Sequence, residues 1–164
     1  MTQPSTRWRL RTDSSETVVQ ASADHIYALV SDLPRMGEWS PECATLEWVD
    51  GSTGPAVDAT FVGHNKTGPR GMIHWSRHGR VLVADPGREF TFITDEGGRE
   101  STLWRYEMEP MGDGSTRVRE SYEVHWIPLW ARILDVPLNR CKDLRKNMAK
   151  TLAQLKAGAE RAAR

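Results

Sequence analysis

Polar and apolar positions alternate through most of the middle of the chain. A period of two belongs to strands with one covered and one solvated face. Glu16 to Ala21, β-branched at Thr17, Val18 and Val19, reads as a first strand. Ser22 then stands where a helix N-cap is needed, Asp24 falls in the first turn, and Ile26, Tyr27, Leu29 and Val30 follow at near-helical spacing. Pro34 stops that helix and opens a second short one, which Gly37 ends.

From Pro41 to about Trp126 strand follows strand, punctuated by Gly51–Pro55, Lys66–Gly71, Asp85–Gly87, Asp95–Gly98 and Gly112–Gly114. Short turns between strands predict an antiparallel meander. On one strand Thr102, Trp104, Tyr106 and Met108 share a face against Arg105, Glu107 and Glu109. On the last, Val118, Glu120, Tyr122, Val124 and Trp126 oppose Arg117, Arg119, Ser121, Glu123 and His125. Pro128 and Pro137 bracket an apolar stretch from Ile127 to Val136. Leu138, Cys141, Leu144, Met148, Leu152 and Leu155 then recur at steps of three and four, an amphipathic helix of about 20 residues that lies on the sheet.

The order of strand, two short helices, meander and long terminal helix resembles the START-like helix-grip superfamily, the polyketide cyclase/dehydrase and lipid-transport (SRPBCC) group. Three segments carry the resemblance: Met36-Gly37-Glu38-Trp39-Ser40-Pro41 after the second short helix, Val83-Ala84-Asp85-Pro86-Gly87-Arg88-Glu89-Phe90 at a strand–turn–strand junction, and Thr116-Arg117-Val118-Arg119-Glu120-Ser121-Tyr122 in the last strand. It implies an α+β helix-grip domain over residues 15–160. A curved antiparallel sheet of about seven strands, two short helices and a long C-terminal helix would enclose a cavity. Residues 1–14 read as a flexible lead-in. The same frame hosts binding proteins, cyclases and hydrolases, so it does not fix a function.

Composition narrows the partners. Lys and Arg total 22, as do Asp and Glu, so the chain of 164 residues has no global field for nucleic acid. No apolar run is long enough for stable membrane insertion. Two cysteines, Cys43 and Cys141, and an N-terminus without a signal-peptide core point to a cytoplasmic protein. Seven Trp against three Phe and three Tyr suit large aromatic walls. His74 and His78, four apart on a strand, would lie about 13 Å from each other, too far for one zinc. Gly63–Gly68 lacks the ending of a phosphate loop, and no Gly-x-Ser-x-Gly elbow occurs. No cofactor is expected.

Alternation selects the candidate ligand-binding side chains: Trp104, Tyr106, Met108, Tyr122 and Trp126 on two strands, joined by Phe61, Phe90 and Phe92. These residues fit a filled core as well as a cavity wall. Glu120 is the anomaly, a carboxyl on an otherwise apolar face that needs a partner, and Arg77, which shares parity with Trp75 and Val81, is the candidate. Glu120 reads either as a polar anchor for a ligand carbonyl or hydroxyl or a general acid/base, or else as half of a structural ion pair or a carboxyl reaching the rim. Trp39 either caps the cavity mouth or anchors the short helices. The 127–136 stretch is open among a gate, plain docking of the chain and a self-association patch that would make a homodimer.

Three functions follow. The first is binding of a small apolar molecule (a lipid, polyketide or isoprenoid-like compound), its polar end oriented by Glu120, Arg77 and Tyr106. The second is a cyclase or aromatase acting on a ligand in the same cavity. The third is an interaction protein that docks a partner through the 126–136 segment.

Overall fold

The Ser22 side chain accepts a hydrogen bond from the His25 amide at 3.3 Å, capping the helix where the chain leaves its first strand. The computed structural model describes residues 12–67, 69–138 and 140–162. The first strand, β1 (Thr12–Val19), is followed by α1 (Ala23–Ser31) and a 3-10 helix, Leu33–Glu38, with Pro34 in its first turn. Six strands come next: β2 (Cys43–Val49), β3 (Thr60–Thr67), β4 (Ile73–Asp85), β5 (Glu89–Glu96), β6 (Arg99–Pro110) and β7 (Thr116–Val124). Two helices, α2 (Leu129–Leu138) and α3 (Arg140–Ala162), complete the fold.

The seven strands form one antiparallel sheet in the order β1-β7-β6-β5-β4-β3-β2. The expected helix-grip architecture is therefore present, with one element more than expected: the proline-bracketed stretch winds into α2. Ala131 and Arg132 donate their amides to the Pro128 carbonyl, and a proline at a helix start removes a donor that would have no partner there. β1 also begins earlier than Glu16. Its polar residues Thr12–Ser15 carry no strand pattern, but they pair in register with Glu123–Glu120 of β7, and Thr12 Oγ1 donates to the Tyr122 carbonyl. Tertiary pairing here overrides local propensity. The rest of the expected lead-in lies outside the described residues.

Register shifts at Cys43/Thr45, Val81/Val83 and Thr94/Asp95 mark bulges that bend the strands. The C-terminal half of α3 and helix α1 close one end of the concave face. There Leu152, Leu155, Ala159, Ile26 and Val30 pack with Phe90, Met108 and Val118 into a solid core. Burying each such leucine contributes about 1.5–3 kcal/mol. At the other end Leu144 and Met148 of α3 pack with Tyr122 and Val124 in a smaller cluster. The 3-10 helix closes against β2 at Gly37, where a Cβ would come to 2.8 Å from the Ala44 carbonyl.

Candidate functional site

Between the two packed ends lies a cavity of about 620 Å³. The concave sheet face forms its floor, Leu144, Asn147, Met148 and Thr151 of α3 form its roof, and exposed Ile73 and Trp130 stand at its mouth. Phe61, Trp75, Phe92 and Trp104 supply apolar wall. Phe61 makes edge-on contacts with Phe92 and Trp48, at ring separations of 5.4 Å and 6.2 Å.

Polar groups gather at separate points of this wall. At the buried end the Tyr106 hydroxyl donates to Glu120 Oε1 at 2.9 Å. Glu120 is 4% exposed, and its Oε2 is buried with no hydrogen-bond partner. Burial pushes the Glu120 carboxyl up to about 8, against the opposing effect of the Tyr106 hydrogen bond. Burial, and then the neighbouring carboxylate, raise the Tyr106 phenol well above its ordinary value. Cys43 also lines the cavity, and burial drives its thiol up to about 11 although Lys66 pulls the other way. At the more open end Arg77 and Glu96 form an ion pair, and beneath α3 the Asn147 amide donates to Glu42 Oε1 at 2.8 Å.

The expected Arg77–Glu120 partnership is therefore replaced by two others. Glu120 lies opposite Tyr106, Tyr106 opposite Phe90, and Phe90 opposite Ala84, seven residues along β4 from Arg77. At roughly 3.3 Å per residue that offset is about 23 Å along the strand, far beyond an ion pair. Glu96 meets Arg77 because it continues the inward parity of Phe90, Phe92 and Thr94.

Five of the expected ligand contacts lie outside the cavity wall. Phe90 sits in the solid core, edge-on to Tyr27 of α1 at 6.2 Å, and Met108 is in the same cluster. Tyr122 packs against Trp104 at 5.5 Å within the smaller cluster. Trp126 lies past the end of β7, beneath the Arg99 guanidinium at 4.7 Å. Trp39 is a buried anchor of the 3-10 helix, with the Arg35 guanidinium 5.7 Å from its ring centre. Alternation identified the inward face correctly, but α1 and α3 decide which part of that face is cavity. Among the residues missed, Glu96 and Thr94 were readable from β5 parity, and Leu144 and Met148 from the helix stripe. Asn147 and Glu42 are 105 positions apart and carried no local signal.

Among the described residues no group of three or more His, Cys, Asp or Glu is placed to hold a metal ion. No helix among them is long and apolar enough to cross a membrane. The family model for polyketide cyclase / dehydrase and lipid transport proteins matches residues 11–160. The chain belongs to this family. No curated protein matches its sequence. Among solved structures it is similar to the polyketide-cyclase-like protein Cgl2372 of Corynebacterium glutamicum, with 30% identity over 88% of each chain and a TM-score of 0.52. It is similar in fold to a START superfamily protein from Mycobacterium smegmatis, at 20% identity, with 93% of this chain and 99% of that one covered and a TM-score of 0.66. It also resembles StfQ, a di-domain aromatase/cyclase of the steffimycin biosynthetic pathway, at 17% identity and a TM-score of 0.68, covering 93% of this chain and 51% of that one.

Proposed function

We propose that this family member binds one small hydrophobic molecule in the cavity, with its polar end against the Tyr106–Glu120 pair. The observation that carries the reading is the buried, unpartnered Glu120 Oε2 at the end of a mostly apolar space. A buried polar atom without a partner is costly, and a ligand group reaching it would relieve that cost. The volume of about 620 Å³ falls inside the range of roughly 300–1,000 Å³ found for small-molecule sites. Apolar contact would provide most of the affinity, at about 25 cal/mol per Å² buried. Arg77, held by Glu96, stands at the other end and would meet the ligand's tail or a second polar group.

A second reading, a cyclase or aromatase acting on the same ligand, draws on one observation. A carboxyl held near 8 can give and take a proton at neutral pH, which general acid–base chemistry requires. Gentle-ionisation mass spectrometry of freshly purified protein, followed by solvent extraction, tests the binding reading. A co-purifying apolar compound near one-to-one supports it. A clean mass, together with failure to take up Nile red, overturns it. With the compound in hand, Glu120→Gln separates the readings: a binder loses affinity, whereas an enzyme loses turnover far more than binding.

A further inference from the structure

The large apolar side chains exposed on the described surface are mostly concentrated around the cavity mouth. Met72 and Ile73 at the β3–β4 hairpin tip, and Leu129, Trp130 and Ile133 on α2, are each between 58 and 73% exposed. Ile73 and Trp130 also line the cavity, so the hairpin tip and α2 flank one opening. Solvated apolar side chains grouped in this way mark an interaction surface.

The charge at the hairpin tip is positive. Exposed Lys66 and Arg70 stand at the hairpin tip, and exposed Arg132 on α2. Of the four Lys and Arg in residues 60–84, Arg77 is paired with Glu96 and Arg80 with Asp58 and Glu100, so the positive charge of the hairpin tip comes from Lys66 and Arg70. The whole chain is balanced at 22 of each sign, so the hairpin-tip side of the mouth is locally basic. The cavity carboxylates Glu96 and Glu42 are engaged inside by Arg77 and Asn147, while Asp143 is an exposed acid on the α3 side of the opening.

We propose that this surface docks the protein peripherally on an anionic lipid bilayer, with the cavity mouth facing the headgroups. Five apolar side chains would enter the headgroup–acyl boundary, a tryptophan among them, while Lys66 and Arg70 meet lipid phosphates. A second copy of the chain fits less well. A two-fold interface would set one basic rim against an identical one, and like charges opposed at close range repel. Docking of this kind needs no spanning helix and gives an apolar ligand a path that avoids water. The proposal goes beyond the cavity reading and depends on it only for what passes through the mouth.

Flotation of the full chain with phosphatidylcholine vesicles, with and without phosphatidylglycerol, tests it. The protein floats with the anionic vesicles and is released by salt. M72S/L129S/I133S and K66E/R70E each lower the bound fraction about tenfold or more. None of these five side chains lines the cavity, so melting and Nile red uptake in solution stay as in the parent. Absence from anionic vesicles, or flotation unchanged by both variants, overturns the proposal. So does a concentration-dependent dimer that the same variants dissolve, which would assign the surface to a second copy. Nile red uptake without flotation refutes docking alone, and flotation without uptake supports docking while refuting the cavity reading.

Discussion

Tyr106 and Glu120 stand directly opposite each other on β6 and β7, and the Tyr106 hydroxyl is the one protein hydrogen-bond donor that the Glu120 carboxyl has among the described residues. The pair is a by-product of strand register: Leu103 pairs with Glu123, and each step along β6 is matched by a step back along β7. It places an acid and a phenol at the buried end of an apolar space, where neither ionises readily.

Stability should fall as pH rises toward 8. Below the ordinary carboxyl range Glu120 is protonated in both the folded and the unfolded chain. Between that range and about 8 only the folded chain keeps the proton, so unfolding releases it and each rise in pH favours unfolding. The slope from this group approaches about 1.4 kcal/mol per pH unit and disappears above about 8, where both states are ionised. Glu120→Gln removes this component. Urea denaturation from pH 5 to pH 8 checks it, and equal slopes in parent and variant would refute it.

Tyr106→Phe should act in the opposite sense. The Tyr106 hydrogen bond lowers the Glu120 carboxyl, so its loss lets the carboxyl rise above about 8 and extends the falling limb of stability to higher pH. Carbon-13 NMR of the Glu120 carboxyl gives the midpoint directly. A downward or absent shift in the Phe variant contradicts the assignment.

The limits of what was legible in the sequence have physical causes. Period two assigned Trp104, Tyr106, Glu120 and Val124 to the inner face because a strand's side chains alternate whatever surrounds it. The stripe of Leu144, Met148, Leu152 and Leu155 likewise announced α3. Alternation carries no information along the strand axis, so it matches Arg77 to Glu120 although register offsets them by about 23 Å along the strands. Nor does it distinguish core from cavity. Phe90 and Phe92 share a face, yet Tyr27 of α1 packs on the first while the second lines the cavity. The turn expected at Asp95–Gly98 is confined to Gly97 and Gly98, because β5 runs on to Glu96 and carries that side chain inward.

Arg77 and Glu96 are only partly buried, with side chains 28% and 21% exposed. Their pair should contribute modestly, so Arg77→Met costs about 1 kcal/mol or less. The double variant with Glu96→Gln costs no more, because no carboxylate is then left unpaired at the cavity wall. Denaturant midpoints read both values, and a loss well above that size would show a larger structural role.

The Phe61 ring lies on Gly79, where an added Cβ would sit 2.2 Å from Phe61 Cζ. Gly79→Ala must therefore displace a ring that forms part of the cavity floor. The cost should be about 1–3 kcal/mol, as for other overpacked cores. Adding Phe61→Leu should recover part of it, a coupling that independent sites would not show. Thermal melting of the two single variants and the double variant measures that coupling, and simple additivity would argue against the contact.

Cys43 offers a reporter of cavity occupancy. Its thiol lines the space but is held up to about 11 by burial, so little thiolate exists at neutral pH. Alkylation by iodoacetamide, read peptide by peptide so that Cys141 is scored separately, should be slow at pH 7 and should accelerate as pH approaches 10. A molecule filling the cavity would shield Cys43 and slow the reaction further at every pH. Rapid modification of Cys43 at pH 7 would show that the thiol is neither buried nor raised. A rate indifferent to an extracted, tightly bound compound would place that compound away from the Tyr106–Glu120 end.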